Sequence, residues 1–288
     1  MSTKIFPLKT TLKRYEKVIK KTMEKSEGND ELEYVISLLE FSNAFFIHER
    51  DSVRELIETI EDFTKIMQNK DNLCIENRTF IKLFSYLYVH ITELEDLYVY
   101  LFNILNTSLG NHFERYPFKI NELSKENFLQ QTQDILNQKI DNDQKSKLLV
   151  ALTNKYQKRE EAIWTKINII DGLSIKTKSE LGNILKEIYD NLLRNAFSHN
   201  DYRFSDLGLH YGINHKKFLS FEQLLELFSN ALAFIAIVGD SAFTALGQYK
   251  DKGRITIKGK YGEMTLTPII DSSKSHWKIE ATRSAPYI

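Results

Sequence analysis

The stretch LLRNAFSHNDY, Leu192 to Tyr202, brings a cation, an amide and an imidazole together at the end of a helical pattern. The segment Lys178–His199 carries apolar residues at helical spacing. They share one face of the predicted helix: Leu181, Ile184, Leu185, Ile188, Leu192 and Ala196. In a regular helix Arg194 and His199 lie about 140° apart, whereas Asn195 shares the face of His199. A long arginine side chain and a histidine in the last turn can still reach one groove.

These residue types suit attack on a phosphodiester bond of RNA by the neighbouring 2′-hydroxyl group. The reaction needs a base for that hydroxyl, a proton for the leaving 5′-oxygen, and positive charge beside the phosphate. An imidazole can accept and donate protons near neutral pH. A guanidinium forms bidentate hydrogen bonds with phosphate oxygens and stays charged throughout. This chemistry requires no metal ion. One imidazole serves both proton roles poorly, so two copies facing each other across a dimer would help.

The order Arg194-Asn195-Ala196-Phe197-Ser198-His199, followed by Asp201-Tyr202, resembles the HEPN superfamily of ribonucleases and related helical domains. The resemblance implies a bundle of four or five helices over Arg78–Gln248, and a homodimer that brings two copies of the motif into one cleft. It also implies a metal-independent endoribonuclease that leaves a 2′,3′-cyclic phosphate. Members commonly serve as toxins, abortive-infection effectors or other antiviral nucleases.

The resemblance assigns a role to each residue of the motif. His199 is expected to act as base or acid, Arg194 to hold the scissile phosphate, and Asn195 to position these groups. The expected substrate contacts come from residues near the motif and in the basic tail: Tyr202, Ser198, Arg203, Lys252 and Arg254. No cofactor and no metal site are expected. The expected partners are RNA and a second copy of the chain. An antitoxin or sensor protein is a further possible partner, since members of the superfamily act as toxins or in antiviral defence.

Other interpretations of the same residues stay open, because so short a motif also arises by chance. Arg203 and His210 fit a longer spacing, which we interpret as chance although both residues could line the cleft. Arg194 could instead pair with Asp190 or Glu187, and His199 could be a histidine stabilised by the helix dipole. The alternative function is a non-catalytic HEPN-like module that binds RNA, nucleotide or a partner protein. A purely structural helical protein is the third hypothesis.

Two other features of the sequence bear on chemistry. The segment HITELED places His90, Glu93, Glu95 and Asp96 close together, but charges on a helix face are usually solvated, so we do not assign a metal site there. Residues 1–28 carry eight basic and three acidic residues, and residues 249–288 carry eight basic and four acidic residues. Because the whole chain is neutral, an RNA partner would need such a local basic patch.

Composition indicates a folded protein of a reducing compartment. The 288 residues are 42% hydrophobic and include only four prolines and eleven glycines, so the chain can bury a core. A single cysteine, Cys74, excludes an intramolecular disulfide and fits the cytoplasm. The N-terminus lacks the apolar core of a signal peptide. The longest apolar run, ALAFIAIVG at Ala231–Gly239, is too short to span a bilayer, so we expect no membrane association.

The predicted fold class is mostly α: a HEPN-like helical bundle at 71–249 with an N-terminal helical extension at 1–70 and a small antiparallel sheet at 250–288. Helical periodicity predicts the following helices: Leu32–Phe46, Val53–Met67, Arg78–Leu109, one starting at Ser124, Asn142–Ile170, Lys178–His199 and Phe221–Gln248. The alternating segments RITIKG, EMTLTPI and HWKIEAT predict two or three strands. So small a sheet should pack against the helices or against a partner chain.

Overall fold

The fold is taken from a computed structural model, which describes residues 9–46, 65, 77–120, 125–138, 141–156, 159–160, 162–205, 207–260, 262–271 and 276–283. The chain forms two compact units. One comprises Met1–Glu114 with Ile167–Ile288, and the other is Arg115–Lys166. The domain boundaries that we placed after residues 70 and 249 stay a prediction.

The described chain is mostly helical and ends in a small antiparallel sheet, as the sequence predicts. Its helices, in chain order, are α1 Lys9–Asn29, α2 Glu31–Phe46, α3 Asn77–Thr92, α4 Glu95–Thr107, α5 Lys125–Asn137, α6 Asn142–Tyr156, α7 Ile163–Thr177, α8 Leu181–Ile188, α9 Asn191–Ser198 and α10 Phe221–Asp251. Its strands are β1 Lys119–Ile120, β2 Arg159–Glu160, β3 Tyr202–Phe204, β4 Gly208–Tyr211, β5 Lys217–Ser220, β6 Ile255–Gly259, β7 Gly262–Asp271 and β8 His276–Arg283.

The core of the larger unit lies around α10, which packs against α1, α2, α3 and α8. Aromatic side chains fill much of this core. Tyr15 meets Phe234 edge to face with ring centroids 5.6 Å apart, and Tyr88 lies 5.0 Å from Phe228. All four rings are almost completely buried. The helix that carries the motif, α9, packs against α3, and α3 in turn packs against α10.

By length and composition, α10 is apolar enough to cross a bilayer, although 39% of its most apolar window is buried inside the protein. The buried residues of α10 follow one face from Leu224 to Tyr249. Within the apolar run Ala231–Gly239, Phe234 and Val238 are buried but Ala236 is exposed. One such helix is weak evidence for a membrane, because the core helix of a soluble protein has the same character.

Several helix predictions are confirmed: α2, α5 and α10 occupy the predicted segments, and α10 runs three residues further than expected. Three long predicted helices are wrong, because each is divided in two. Arg78–Leu109 becomes α3 and α4, Asn142–Ile170 is interrupted after α6, and Lys178–His199 becomes α8 and α9. The predicted stop at Asp171-Gly172 is also wrong, since α7 continues to Thr177 and ends before Lys178, which has a positive φ of 57°. Except for Lys65, the predicted helix Val53–Met67 lies outside the described residues, as do Cys74 and Ser124.

The C-terminal sheet consists of β6, β7 and β8 in antiparallel order, as predicted. It packs against α2 and α10, so the expectation that it leans on helices is confirmed. The β6–β7 turn lies against the start of α2, where the backbone N–H of Lys260 donates to Asp30 Oδ2 at 3.0 Å. A Cβ atom on Gly259 would come within 2.5 Å of Leu32 Cβ, so glycine permits this close contact.

The smaller unit contains α5 and α6, which pack against each other, and the short antiparallel pair β1–β2. Lys166, almost completely buried, lies over the ring of Phe118 at 5.6 Å. Burial lowers the pKa of this ammonium group to about 8.

Candidate functional site

The motif lies on α9, a helix of eight residues with defined ends. Asp190 is its N-cap, and its Oδ1 accepts from the backbone N–H of Leu193 at 2.9 Å. The other carboxylate oxygen of Asp190 accepts from the Tyr211 hydroxyl at 2.8 Å. Burial and this bond to Asp190 raise the pKa of Tyr211, so the phenol stays a donor. The start of α9 is thereby tied to β4.

The other end of α9 places His199 at the C-cap, where its side chain is exposed. Asn200 follows with a φ of 54°, and the backbone N–H of Asp201 donates to Ala196 O at 2.8 Å. Asn200 N–H also donates to Phe197 O at 3.3 Å, which completes a Schellman motif. Within the described chain the imidazole of His199 has no hydrogen-bond or ion-pair partner. It is therefore accessible to a substrate.

The break between α8 and α9 is held open by a buried tyrosine of α3. The hydroxyl of Tyr88 donates to Ile188 O at 3.1 Å and accepts from the backbone N–H of Asp190 at 2.8 Å. In a continuous helix both backbone groups would have bonded along the chain. Burial raises the pKa of Tyr88, so it remains a neutral phenol that can do both. The Tyr88 hydroxyl thus satisfies both backbone groups that the break in the predicted helix Lys178–His199 leaves without a helical partner.

A second tyrosine stabilises the break between α3 and α4. The hydroxyl of Tyr98 donates to the carbonyl of Thr92 at 2.9 Å, and the hydroxyl of Thr92 donates to the carbonyl of Tyr88 at 2.9 Å. Burial raises the pKa of Tyr98 well above its ordinary value. The chain leaves the helical path at Glu93, whose N–H bonds to His90 O at 3.1 Å in a tighter turn. The carboxylate of Glu93 is thereby directed to α9.

Glu93 contacts the motif directly, because its Oε1 pairs with Nη2 of Arg194. On the other side of the guanidinium, Nη1 donates to Asn195 Oδ1 at 3.0 Å. The expected positioning role of Asn195 fits this contact. Nε of Arg194 is buried and has no hydrogen-bond partner in the described chain. The Arg194 side chain is 26% exposed, so the guanidinium is held but not sealed from solvent.

The partners that we considered for a purely structural Arg194 are engaged elsewhere. Glu187 pairs with Arg14 of α1 at 2.8 Å, and Asp190 caps α9. Glu93, which we had weighed as a metal ligand, is the carboxylate that Arg194 contacts. Sequence separation hid this pair, since its two members are 101 positions apart in the chain. Within the described residues, no group of three or more His, Cys, Asp or Glu is placed to hold a metal ion.

The other predicted contact residues are not all brought together. Ser198 is exposed at the end of α9. Tyr202 is half-buried, and its ring packs edge to face on Phe197 at 5.1 Å and on Phe204 at 5.4 Å. Packing therefore accounts for the Tyr202 ring, and its predicted role as a substrate contact stays a prediction.

Lys252 and Arg254 lie far from the motif within one chain. Phe197 of α9 packs on Phe228 near the start of α10, with ring centroids 6.3 Å apart. Lys252 follows the end of α10, so the helix from Phe228 to Lys252 spans about 36 Å at about 1.5 Å per residue. Lys252 lies 4.6 Å from the centre of the Tyr249 ring. An RNA that contacts both these cations and His199 would have to span this distance or bind the protein at two separate places.

A second sheet follows the motif, in a segment for which the sequence pattern predicts no strand. Strands β3, β4 and β5 form an antiparallel sheet, in which Arg203 pairs directly with His210. The second Arg–His spacing is therefore a cross-strand pair and not a second copy of the helical motif. The strands have only three or four residues, which leaves too little alternation to detect in the sequence.

Comparison of the chain with protein-family models, with curated proteins and with solved structures gives no match. The resemblance to the HEPN superfamily therefore depends on the motif residues and their surroundings.

Proposed function

We propose that the chain is a homodimeric, metal-independent endoribonuclease of HEPN type that acts in antiviral defence or as a toxin. The observation that carries the proposal is the arrangement at the end of α9. There an exposed imidazole, which has no partner among the described residues, lies five residues from a guanidinium that is oriented by Asn195 and remains partly accessible. The helix itself is fixed at both ends, as pre-organised catalytic groups require.

In the proposed reaction the ribose O2′ attacks phosphorus and the bond from phosphorus to O5′ breaks. His199 accepts the proton of the 2′-hydroxyl, and His199 of the partner subunit, in its protonated form, donates a proton to O5′. Arg194 offsets the charge that develops on the two non-bridging phosphate oxygens. The products are a 2′,3′-cyclic phosphate and a 5′-hydroxyl. Because imidazole and guanidinium supply every charge and proton, no step calls for a metal ion.

The ends of the RNA fragments test this proposal. We expect purified protein to cut total RNA into discrete fragments at the same rate with and without EDTA. Sequencing should find 2′,3′-cyclic phosphate and 5′-hydroxyl ends. Intact RNA, loss of cutting in the chelator, or fragments with 3′-hydroxyl ends would each contradict it.

The ion pair with Glu93 also has to be replaced during the reaction. A phosphate that binds Arg194 competes with the Glu93 carboxylate for the same guanidinium, and the carboxylate repels it. A Gln side chain keeps the size of Glu93 but removes its charge. Since an exposed ion pair contributes about 0.2–1 kcal/mol, we expect Glu93→Gln to tighten RNA binding by up to about fivefold. The KM for RNA measures this effect, with Glu95→Gln, at the first residue of α4, as the matched control. A higher KM or a large fall in kcat would show that Glu93 positions Arg194 for catalysis.

A second candidate function is a non-catalytic module that binds RNA, nucleotide or a partner protein. The same Glu93–Arg194 pair favours it, because a guanidinium already held by a carboxylate is a common structural arrangement. In that case the RNA stays intact in the EDTA experiment while its mobility in a gel is shifted.

A further inference from the structure

The sheet β3–β5 presents one face to solvent. Residues that pair across antiparallel strands point to the same side. Arg203 pairs with His210, and His210 pairs with Phe218, so these three side chains form a continuous row. Arg203 is exposed, His210 is half-exposed and Phe218 is 44% exposed. With strands about 4.8 Å apart, the row is about 10 Å long.

The opposite face of this sheet is its packed side, which fixes the orientation of the row. Leu209 and Tyr211 are buried. Tyr202 and Phe204 join the aromatic cluster with Phe197, and Phe204 also lies 6.4 Å from Phe221 of α10. The core therefore accounts for one face of the sheet, and the row Arg203–His210–Phe218 takes no part in it.

The chemistry of the row combines a cation with an aromatic surface. The rings of His210 and Phe218 have centroids 4.9 Å apart. Arg203 has no hydrogen-bond or ion-pair partner in the part of the chain that the structure describes. The exposed Lys216 stands just before β5, while the exposed acid Asp201 lies 3.7 Å from His215. An anionic polymer whose units carry flat rings would complement both features.

We propose that the row Arg203–His210–Phe218 binds single-stranded RNA, with a base stacked on Phe218 and a phosphate on Arg203. The proposal deepens the proposed function, on which it rests, by naming the substrate class as unpaired RNA. A paired duplex hides its bases from such a surface, whereas an unpaired strand exposes them. Tyr202, which we had expected to contact the substrate, has its ring in the packed cluster on the other face.

The row begins close to the catalytic histidine. Arg203 follows His199 by four residues, so their Cα atoms are at most about 14 Å apart. A strand bound along the row can therefore continue to His199 on the same molecule. The chain turns between them through the Schellman motif at Asn200, which fixes the direction of β3 relative to α9.

The test measures binding without cleavage, by fluorescence anisotropy of a labelled 12-nucleotide RNA added to the full-length His199→Ala protein. We expect Phe218→Ala and Arg203→Ala each to weaken binding about tenfold. Phe218→Trp should retain the affinity and Phe218→Leu should lose it, since only the former keeps an aromatic face. Arg203→Ala should also make the slope of the logarithm of the binding constant against the logarithm of the salt concentration less steep, by the amount that corresponds to about one phosphate contact. A duplex of the same sequence should bind more weakly than the single strand.

Lys217→Ala is the matched control. Lys217 neighbours Phe218 but lies on the opposite face, 5.8 Å from the Tyr211 ring. Unchanged affinity in the Phe218 and Arg203 variants, with circular dichroism spectra like the parent, would overturn the inference. So would equal losses for Lys217→Ala. The same substitutions in the cleaving protein separate the two proposals. If the parent cleaves RNA and these substitutions leave its KM unchanged, the row is refuted and the nuclease is not. If the parent does not cleave RNA but the substitutions weaken RNA binding about tenfold, the row is supported and the nuclease is refuted.

Discussion

Replacing His199 with alanine is expected to lower the rate of RNA cleavage by about 10²–10⁴-fold, because general acid–base catalysis contributes a factor of that size. The side chain is exposed and makes no hydrogen bond or ion pair within the described residues, so its removal leaves the rest of α9 in place. The fold should therefore be unchanged by circular dichroism, and RNA binding should persist. Single-turnover cleavage of a labelled RNA measures the effect.

Arg194→Ala is expected to cost about 10²–10³-fold in kcat, as the loss of one group that stabilises transition-state charge does. Arg194→Lys should recover part of the loss, since lysine keeps the charge but not the paired geometry of the guanidinium. The double variant Arg194→Ala/His199→Ala should cleave only slightly more slowly than the slower of the two single variants. Substitutions of residues that act in the same step do not have additive effects on the rate.

His90→Ala is the control for both substitutions. It removes an exposed histidine of α3, three residues before Glu93, and we expect no change in the cleavage rate. If His199→Ala and Arg194→Ala cleave as fast as this control, the motif is not catalytic. The protein would then be either the non-catalytic binding module or a purely structural helical protein.

Tyr88→Phe is expected to destabilise the protein by about 2–4 kcal/mol, the second large effect. The substitution removes one oxygen, and with it the partners of Ile188 O and of the Asp190 N–H. Leaving a buried polar group unsatisfied costs about 1–3 kcal/mol. The unfolding midpoint should fall by about 5–10 °C. Cleavage should slow as well, because the same hydroxyl fixes the start of α9.

Tyr86→Phe is a matched control for this prediction. Tyr86 lies two residues earlier on α3 and is 52% exposed, so its hydroxyl is solvated in the folded and unfolded chains alike. We expect a midpoint within about 1–2 °C of the parent, as surface substitutions usually change stability by less than about 0.5 kcal/mol. Equal midpoints for the two variants would mean that the α8–α9 break does not depend on Tyr88.

The sequence alone determined the class of the fold and the residue types of the candidate site. Helical periodicity identified α2, α5 and α10, and alternation identified the C-terminal sheet. These patterns are local, since one face of each element must be apolar to be buried. The motif Arg194–His199 was also visible, because both residues lie within two turns of one another.

Only the tertiary structure decided where the helices break and what the guanidinium contacts. The breaks before α4 and α9 depend on the hydroxyls of Tyr98 and Tyr88, which replace the bonds that a continuous helix would have made. Periodicity runs through both breaks, since the apolar face is hardly interrupted. Glu93 meets Arg194 across 101 residues, and such a contact has no local signature. Hydrogen bonds between distant segments form only when the packed core brings them together, and the sequence pattern of one segment does not contain its partner.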